Sequence, residues 1–324
     1  MRITALSGGI GGARYLRGLR TLLAPEDELT VIGNTADDIW LFGLKVCPDL
    51  DTLMYTLGGG IDEARGWGRA NETWGAREEL AAYGVEPTWF GLGDRDLATH
   101  VVRTQMLSAG YPLSAVTAAL CERWQPGVRL VPMSDDRVET HIVVADEAGG
   151  RRAIHFQEYW VRLRASVPVL DVVAVGADTA VAAPGVLEAV SEADVIVLPP
   201  SNPIVSIGTI LGVPGIGAAL HSTRAPVVGI SPIIAGAAVR GMADELLAGL
   251  SIENSAAGVA LHYGARTDGG VLDGWLVHTS DRDAVTRLEA ADITSRSVPL
   301  LMSDLPATTA MARATLDLAA GLSR

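Results

Sequence analysis

The chain has 324 residues, with 38 acidic against 25 basic side chains and a formal net charge of −13. With 48% hydrophobic residues it can bury a core of its own, which excludes a disordered tail and a mini-protein stapled by disulfides or metal. Lys45 is the single lysine and no Lys/Arg run occurs, so a basic surface for nucleic acid or anionic membrane is excluded as well.

Strand-like and helix-like stretches alternate from the start. Residues 2–6 are an apolar run closed by Ser7-Gly8-Gly9, and residues 11–23 place Leu16, Leu19, Leu22 and Leu23 at helical spacing. A second β-type run at 29–32 ends in Gly33-Asn34-Thr35. Between about 58 and 164 the pattern changes. Helices at 73–83, 94–109 and 114–124 precede short strands at 129–131, 140–144 and 153–156, the last two joined by a Glu147-Ala148-Gly149-Gly150 hairpin turn. The alternation then resumes with strands at 172–175, 195–198 and 227–230 and helices at 185–192 and 215–220. Weaker strands at 275–277 and 298–301 each precede a helix, and 264–274 reads as a loop.

Such alternation predicts a doubly wound, Rossmann-like α/β fold with a mostly parallel sheet. Residues 1–57 and 165–324 would form this core, and 58–164 an inserted α+β lid over the carboxyl edge of the sheet, where open α/β folds bind ligands. Cys47 and Cys121 lack the spacing of a zinc site or disulfide framework. The N-terminal MRITALSGG lacks a signal-peptide core and no stretch approaches a membrane span. A cytoplasmic protein without membrane or nucleic-acid partners is expected.

Three features carry chemistry. Ser7-Gly8-Gly9-Ile10-Gly11-Gly12 joins the first strand to the first helix, where backbone N–H groups and the helix dipole suit a phosphate. It lacks the Gly-Lys-Ser/Thr of a Walker loop, and the second strand ends in Asn34 rather than a ribose-binding acid, which argues against an NAD dehydrogenase. Second come two acidic segments, Asn34-Thr35-Ala36-Asp37-Asp38 and Pro48-Asp49-Leu50-Asp51-Thr52, of which the first follows the second strand and so belongs at the sheet edge of the glycine loop. These acids serve either as helix N-terminal charges or, through Mg2+, as partners of a diphosphate. Third, Pro200-Ser201-Asn202-Pro203 and Ser231-Pro232 close two later strands with polar groups, as turns or as a binding surface. In the inserted region, His100 lies one turn on from Asp96, Asp135-Asp136 reads as a polar turn, and Trp67, Trp74, Trp89 and Trp160 either pack a core or stack on a flat ligand.

These segments, together with Leu92-Gly93-Asp94-Arg95-Asp96, His155-Phe156-Gln157 and Ser231-Pro232-Ile233-Ile234, resemble the 2-phospho-L-lactate transferase family of coenzyme F420 biosynthesis. Gly58-Gly59-Gly60-Ile61-Asp62 and Asn71-Glu72-Thr73-Trp74 look most like its actinobacterial branch, for which the resemblance implies phosphoenolpyruvate as the three-carbon unit. It further implies transfer of that unit from a guanosine-diphosphate-linked donor to the ribityl hydroxyl of the deazaflavin Fo, with GMP released, and a homodimer. Mg2+ would sit on Asp37 and Asp49, which with Asp51 form the catalytic set. Ser7, Gly8, Gly9, Gly11, Gly12, Asn34, Thr35, Ser201, Asn202, Pro203 and Ser231 would hold the nucleotide and its phosphates. Asp51, Gly91, Asp94 and Trp89 would meet the deazaflavin. A non-enzymatic nucleotide-sugar-binding regulator of the same superfamily is the alternative; it would share the glycine loop without needing all three aspartates.

Overall fold

The computed structural model describes residues 1–146 and 149–322. The chain opens with β1 (Arg2–Ser7), α1 (Gly9–Arg20), β2 (Glu28–Gly33) and a small hairpin of β3 (Ile39–Leu41) and β4 (Leu44–Val46). Four helices follow: α2 (Pro48–Leu57), α3 (Gly75–Ala82), α4 (Asp94–Ser108) and α5 (Leu113–Trp124). Next come β5 (Arg129–Pro132), β6 (Glu139–Ala145), β7 (Arg151–His155), β8 (Asp171–Val175), α6 (Val186–Ser191) and β9 (Val195–Leu198). Beyond these lie α7 (Thr209–Gly212), α8 (Ile216–Ser222), β10 (Val227–Ile230), the short pair β11 (Ile233–Ile234) and β12 (Ala237–Ala238), α9 (Ala243–Gly249) and α10 (Ala256–Tyr263). The last elements are β13 (Gly274–Val277), α11 (Ala284–Glu289), β14 (Thr294–Ser297) and α12 (Leu305–Leu322).

Among the described residues, seven parallel strands pair in the order β14-β13-β10-β9-β1-β2-β5. Period-two alternation sends successive side chains to opposite faces. Ala5, Val195, Val197 and Val228 join one core with Leu16, Leu53 and Leu318 of α1, α2 and α12. Leu6, Ile196, Leu198 and Val227 join the other with Val190, Leu220 and Val259 of α6, α8 and α10. Central strands buried on both faces need an apolar residue at every step, which is why β9 reads Val-Ile-Val-Leu. Gly18 lets α1 and α12 close together, since a Cβ there would meet Thr308 Cγ2 at 2.6 Å.

The order reverses between β1 and β9, because β2 and β5 continue to one side and β10, β13 and β14 to the other. At such a switch point the loops leaving the carboxyl ends part and open a crevice. A second sheet, antiparallel with order β7-β6-β8, packs near this edge: Gln157 Nε2 donates to the Asp37 carbonyl at 3.3 Å and His155 Nε2 stands 3.2 Å from the Asp38 carbonyl. No single helix of the described residues is long and apolar enough to cross a membrane.

The doubly wound fold is as the alternation predicts, but three strands differ. The run at 129–131 becomes β5, the edge strand of the central sheet, although it falls within the stretch read as an insertion. The run at 172–175, expected in that sheet, instead pairs with β6 as β8, which leaves Val173 and Val175 on an exposed face; strand preference depends on the neighbours a strand finds. The expected strand at 298–301 is absent; the polar, half-exposed β14 at Thr294–Ser297 takes the edge position instead, and Pro299 has no N–H to extend it. Of the predicted hairpin turn, Glu147 and Ala148 lie outside the described residues, while the flanking strands pair from His141–His155 to Ala145–Arg151.

Candidate active site

The switch point brings two loops together through glycines. Gly8 N donates to Ser201 Oγ at 3.2 Å, and Ser201 Oγ donates to the Gly8 carbonyl at 2.8 Å. A Cβ on Gly11 would fall 2.5 Å from the Pro200 carbonyl oxygen, and one on Gly12 would fall 2.1 Å from Ser7 Oγ. Only glycine permits this approach. α1 begins at Gly9, where Gly8 has no side chain to cap it and the Asp49 carboxylate lies against the first amides, a negative charge at the positive end of the helix dipole. Ser7 Oγ is buried without a hydrogen-bond partner among the described residues.

On the other side of Gly8 stands a carboxylate, Asp49 Oδ2, which would lie 2.3 Å from a Cβ there. Asp49 and Asp51 belong to the first turn of α2, yet the N-cap Cys47 makes no side-chain cap and the two carboxylates turn elsewhere. Asp49 Oδ2 accepts from Asn34 Nδ2 at 2.9 Å. Asn34 is used at both ends: Nδ2 also donates to the Val205 carbonyl, and Oδ1 accepts from Ala36 N and Thr209 Oγ1. It therefore ties the loop after β2 to α2 and to the helical turn Pro203–Gly208.

Asp37 is 4% exposed and its Oδ1 has no partner among the described residues. Burial, and after it the charge of Asp49, hold its carboxyl well above the usual range. Burial pushes Asp49 up to about 6 against the opposing hydrogen bond from Asn34. Two carboxylates in this state are unfavourable as a pair of anions and become favourable when a cation joins them. No group of three or more His, Cys, Asp or Glu placed to hold a metal occurs among the described residues. The pair does suit Mg2+, which takes one or two carboxylates and fills its remaining positions with water and phosphate oxygens. Neighbouring Asp38 is paired through Oδ2, which lies 3.2 Å from Lys45 Nζ and accepts from Cys47 Sγ at 3.1 Å, while burial still raises its carboxyl and its Oδ1 has no hydrogen-bond partner among the described residues.

Asp51 is held from α4. Arg103, 1% exposed, forms a short ion pair with Asp51 Oδ1 and contacts His100 Nδ1 at 3.0 Å. His100 Nε2 lies 3.4 Å from Asp96 Oδ2, and Tyr55 OH donates to Asp96 Oδ1 at 2.6 Å. Burial raises the Asp51 carboxyl, with Arg103 opposing. Its Oδ2 has no hydrogen-bond partner among the described residues. A carboxylate with one oxygen locked and the other, 3.8 Å from His100 Nδ1, unbonded is equipped to orient a hydroxyl or accept its proton once a ligand reaches it.

Other predicted residues serve local structure. Asn202 Oδ1 caps the turn that Pro203 begins, accepting from Ile204 N and Val205 N, and Ser231 Oγ closes a turn onto Ile233. Thr35 is buried beside Asn34 with Oγ1 unpartnered among the described residues. Asp94 accepts from Thr73 Oγ1, Gly75 N and Ala76 N, fixing the start of α3. Gly91 packs near Trp74, where a Cβ would be 3.3 Å from the ring, and half-buried Trp89 meets Phe90 edge-on at 5.9 Å. Phe90, Trp74, Phe42, Leu92 and Leu97 help line a 380 Å³ cavity. Asp135 and Asp136 hold the starts of neighbouring segments, as a polar turn should.

Sequence reasoning missed Lys45, Arg103 and the carbonyl contacts of His155 and Gln157. Lys45 carried a signal, as the single lysine in the chain. Arg103 carried one too: Asp96, His100 and Arg103 follow one helix face at i, i+4 and i+7.

A family model described as 2-phospho-L-lactate transferase CofD matches residues 3–307. A Streptomyces coelicolor protein named phosphoenolpyruvate transferase is 67% identical over 319 residues, covering 98% of both chains. Proteins of the same name from Thermobifida fusca (98% of both chains) and Mycolicibacterium smegmatis (98% of this chain, 99% of that one) are 62% and 59% identical. Two crystal structures of a Bacillus halodurans protein of the UPF0052 family share the fold, with TM-scores of 0.63 and 0.61, 19% identity, and 97% of this chain and 99% of theirs covered.

Proposed function

The chain belongs to the 2-phospho-L-lactate transferase family, and on that premise we propose that it transfers a phosphoenolpyruvyl unit from a guanosine-diphosphate-linked donor to the ribityl hydroxyl of the deazaflavin Fo. The observation that carries this reading is the pair Asp37 and Asp49, buried together with Asp49 against the glycine loop. The names of the actinobacterial relatives support enolpyruvyl over lactyl in the donor.

In this reading the remaining amides of the glycine loop and the unpartnered Ser7 hydroxyl hold the diphosphate, with Ser201 bracing the loop at Gly8. Asp37 and Asp49 would hold Mg2+, which when bound supplies positive charge against the phosphorus and the departing GMP. The hydroxyl oxygen of Fo forms a bond to the phosphorus bearing the enolpyruvyl ester. The anhydride bond breaks, its electron pair leaves with GMP, and the hydroxyl proton passes to Asp51 Oδ2. Arg103 keeps the other Asp51 oxygen fixed throughout. No covalent intermediate is needed, since phosphoryl transfer depends on positioning and charge. The product is dehydro-F420-0, or F420-0 from a lactyl donor.

The test is incubation with Fo, Mg2+ and each candidate donor, followed by product mass. Asp49→Ala is expected to abolish Mg2+-dependent transfer while circular dichroism stays unchanged. Undiminished turnover in that variant would remove the metal role from Asp49.

A further inference from the structure

The first turn of α1 has a second neighbour besides the Ser201 loop. A Cβ on Gly66 would lie 3.5 Å from Ile10 Cγ1 and 2.6 Å from Arg240 Nη1. Arg240 follows β12, in the segment that leaves the carboxyl end of β10. Three separate segments thus meet beside the glycine loop. Arg14 stands four residues along α1 from Ile10, on the same helix face, and long helical side chains lean back over the preceding turn.

The charges here are unbalanced. Arg14 Nη2 donates to the Glu63 carbonyl at 3.1 Å and lies 3.8 Å from Glu63 Oε2. That carboxylate is held more closely by Arg17. Arg240 is exposed, and its side chain makes no hydrogen bond or ion pair among the described residues, so its guanidinium is open to a ligand from solvent. Burial first, and then the positive charge of Arg240, hold the Arg14 guanidinium below its ordinary range. Two guanidinium groups placed to repel each other gain most from an oxyanion, whose geometry their planar forks match.

Like charges also sort the site. Asp49 occupies the Gly8 side of the loop, where a further carboxylate would be repelled. The Ile10 side sets Arg14, Arg17 and Arg240 against the carboxylate of Glu63, and the excess positive charge attracts one. We propose that Arg14 and Arg240 form an oxyanion subsite that takes the carboxylate of the three-carbon acid on the donor. This rests on the transferase reading and assigns which end of the donor lies where.

The experiment compares wild type with Arg240→Ala and Arg240→Lys, using enzymatically prepared enolpyruvyl donor in steady-state assays. GDP, which lacks the acid, serves as the probe in calorimetry. Arg240→Ala is expected to raise KM for the donor roughly ten-fold or more, with GDP affinity changed by less than about two-fold, and Arg240→Lys to recover part of the loss. An unchanged donor KM would overturn the subsite. So would an equal loss of GDP affinity, which would make the diphosphate the partner. Failure of the transferase reading looks different: wild type then yields no deazaflavin product from any donor, and the subsite falls with it.

Discussion

Asp37 and Asp49 hold protons more tightly in the folded chain than when unfolded, and that has a defined sign. Burial lifts Asp49 from 3.8 to about 6, and Asp37 is raised with it. The folded state therefore binds more protons than the unfolded one between these values, so stability from this pair falls as pH rises through that window. Mg2+ needs the ionised pair and binds more tightly above it. The Tm gain on adding Mg2+ to chelator-treated protein is expected to grow as pH rises through about 6; a gain independent of pH would exclude these two ligands. Arg103 offers a second residue-scale prediction. Arg103→Ala leaves a buried carboxylate at Asp51 unpaired, and urea unfolding should show a loss of about 3–5 kcal/mol. A loss below about 1 kcal/mol would mean that water already screens the pair.

At the scale of elements, the site depends on how closely α1 approaches the loop after β9. The Gly11 contact is with a carbonyl oxygen at 2.5 Å from the Cβ position, and main chain cannot swing aside as a side chain can. Gly11→Val is therefore expected to push the first turn of α1 away from Pro200 and cost at least ten-fold in GDP affinity, on the order of 1.4 kcal/mol, by calorimetry. Retained affinity would place the nucleotide elsewhere. Helical periodicity and glycine-rich turns made α1 and its loop legible from sequence. The pairing of β8 with β6 was not legible. A short run of valines reads as a strand buried on both faces, yet strand preference depends on context, and the neighbours available after folding left one face of β8 uncovered.

Across the whole molecule, the crevice joins parts of the chain far apart: Gly8 and Ser201 are 193 residues distant in sequence, and α1 packs against α12. A ligand bound there stabilises both sides of the switch point together. GDP at a hundred times its Kd is expected to add about 2.7 kcal/mol and to shift one cooperative transition in calorimetry. Two transitions, only one of them moved, would show that the parts fold separately.

Composition and periodicity alone determined that the chain forms a doubly wound α/β core, because burial on two faces forces apolar runs of strand length between amphipathic helices. Motif order alone also placed the glycine loop and the segment Asn34-Thr35-Ala36-Asp37-Asp38 at one sheet edge. Tertiary structure decided the rest. It turned Asp49 away from helix capping and onto Gly8, set Asn202, Ser231 and Asp94 to holding local turns, and supplied Arg103 to Asp51 from a helix more than 40 residues later. The net charge of −13 illustrates the reason. A sum over the sequence cannot register which acids lose their water and face each other, and that follows from packing alone.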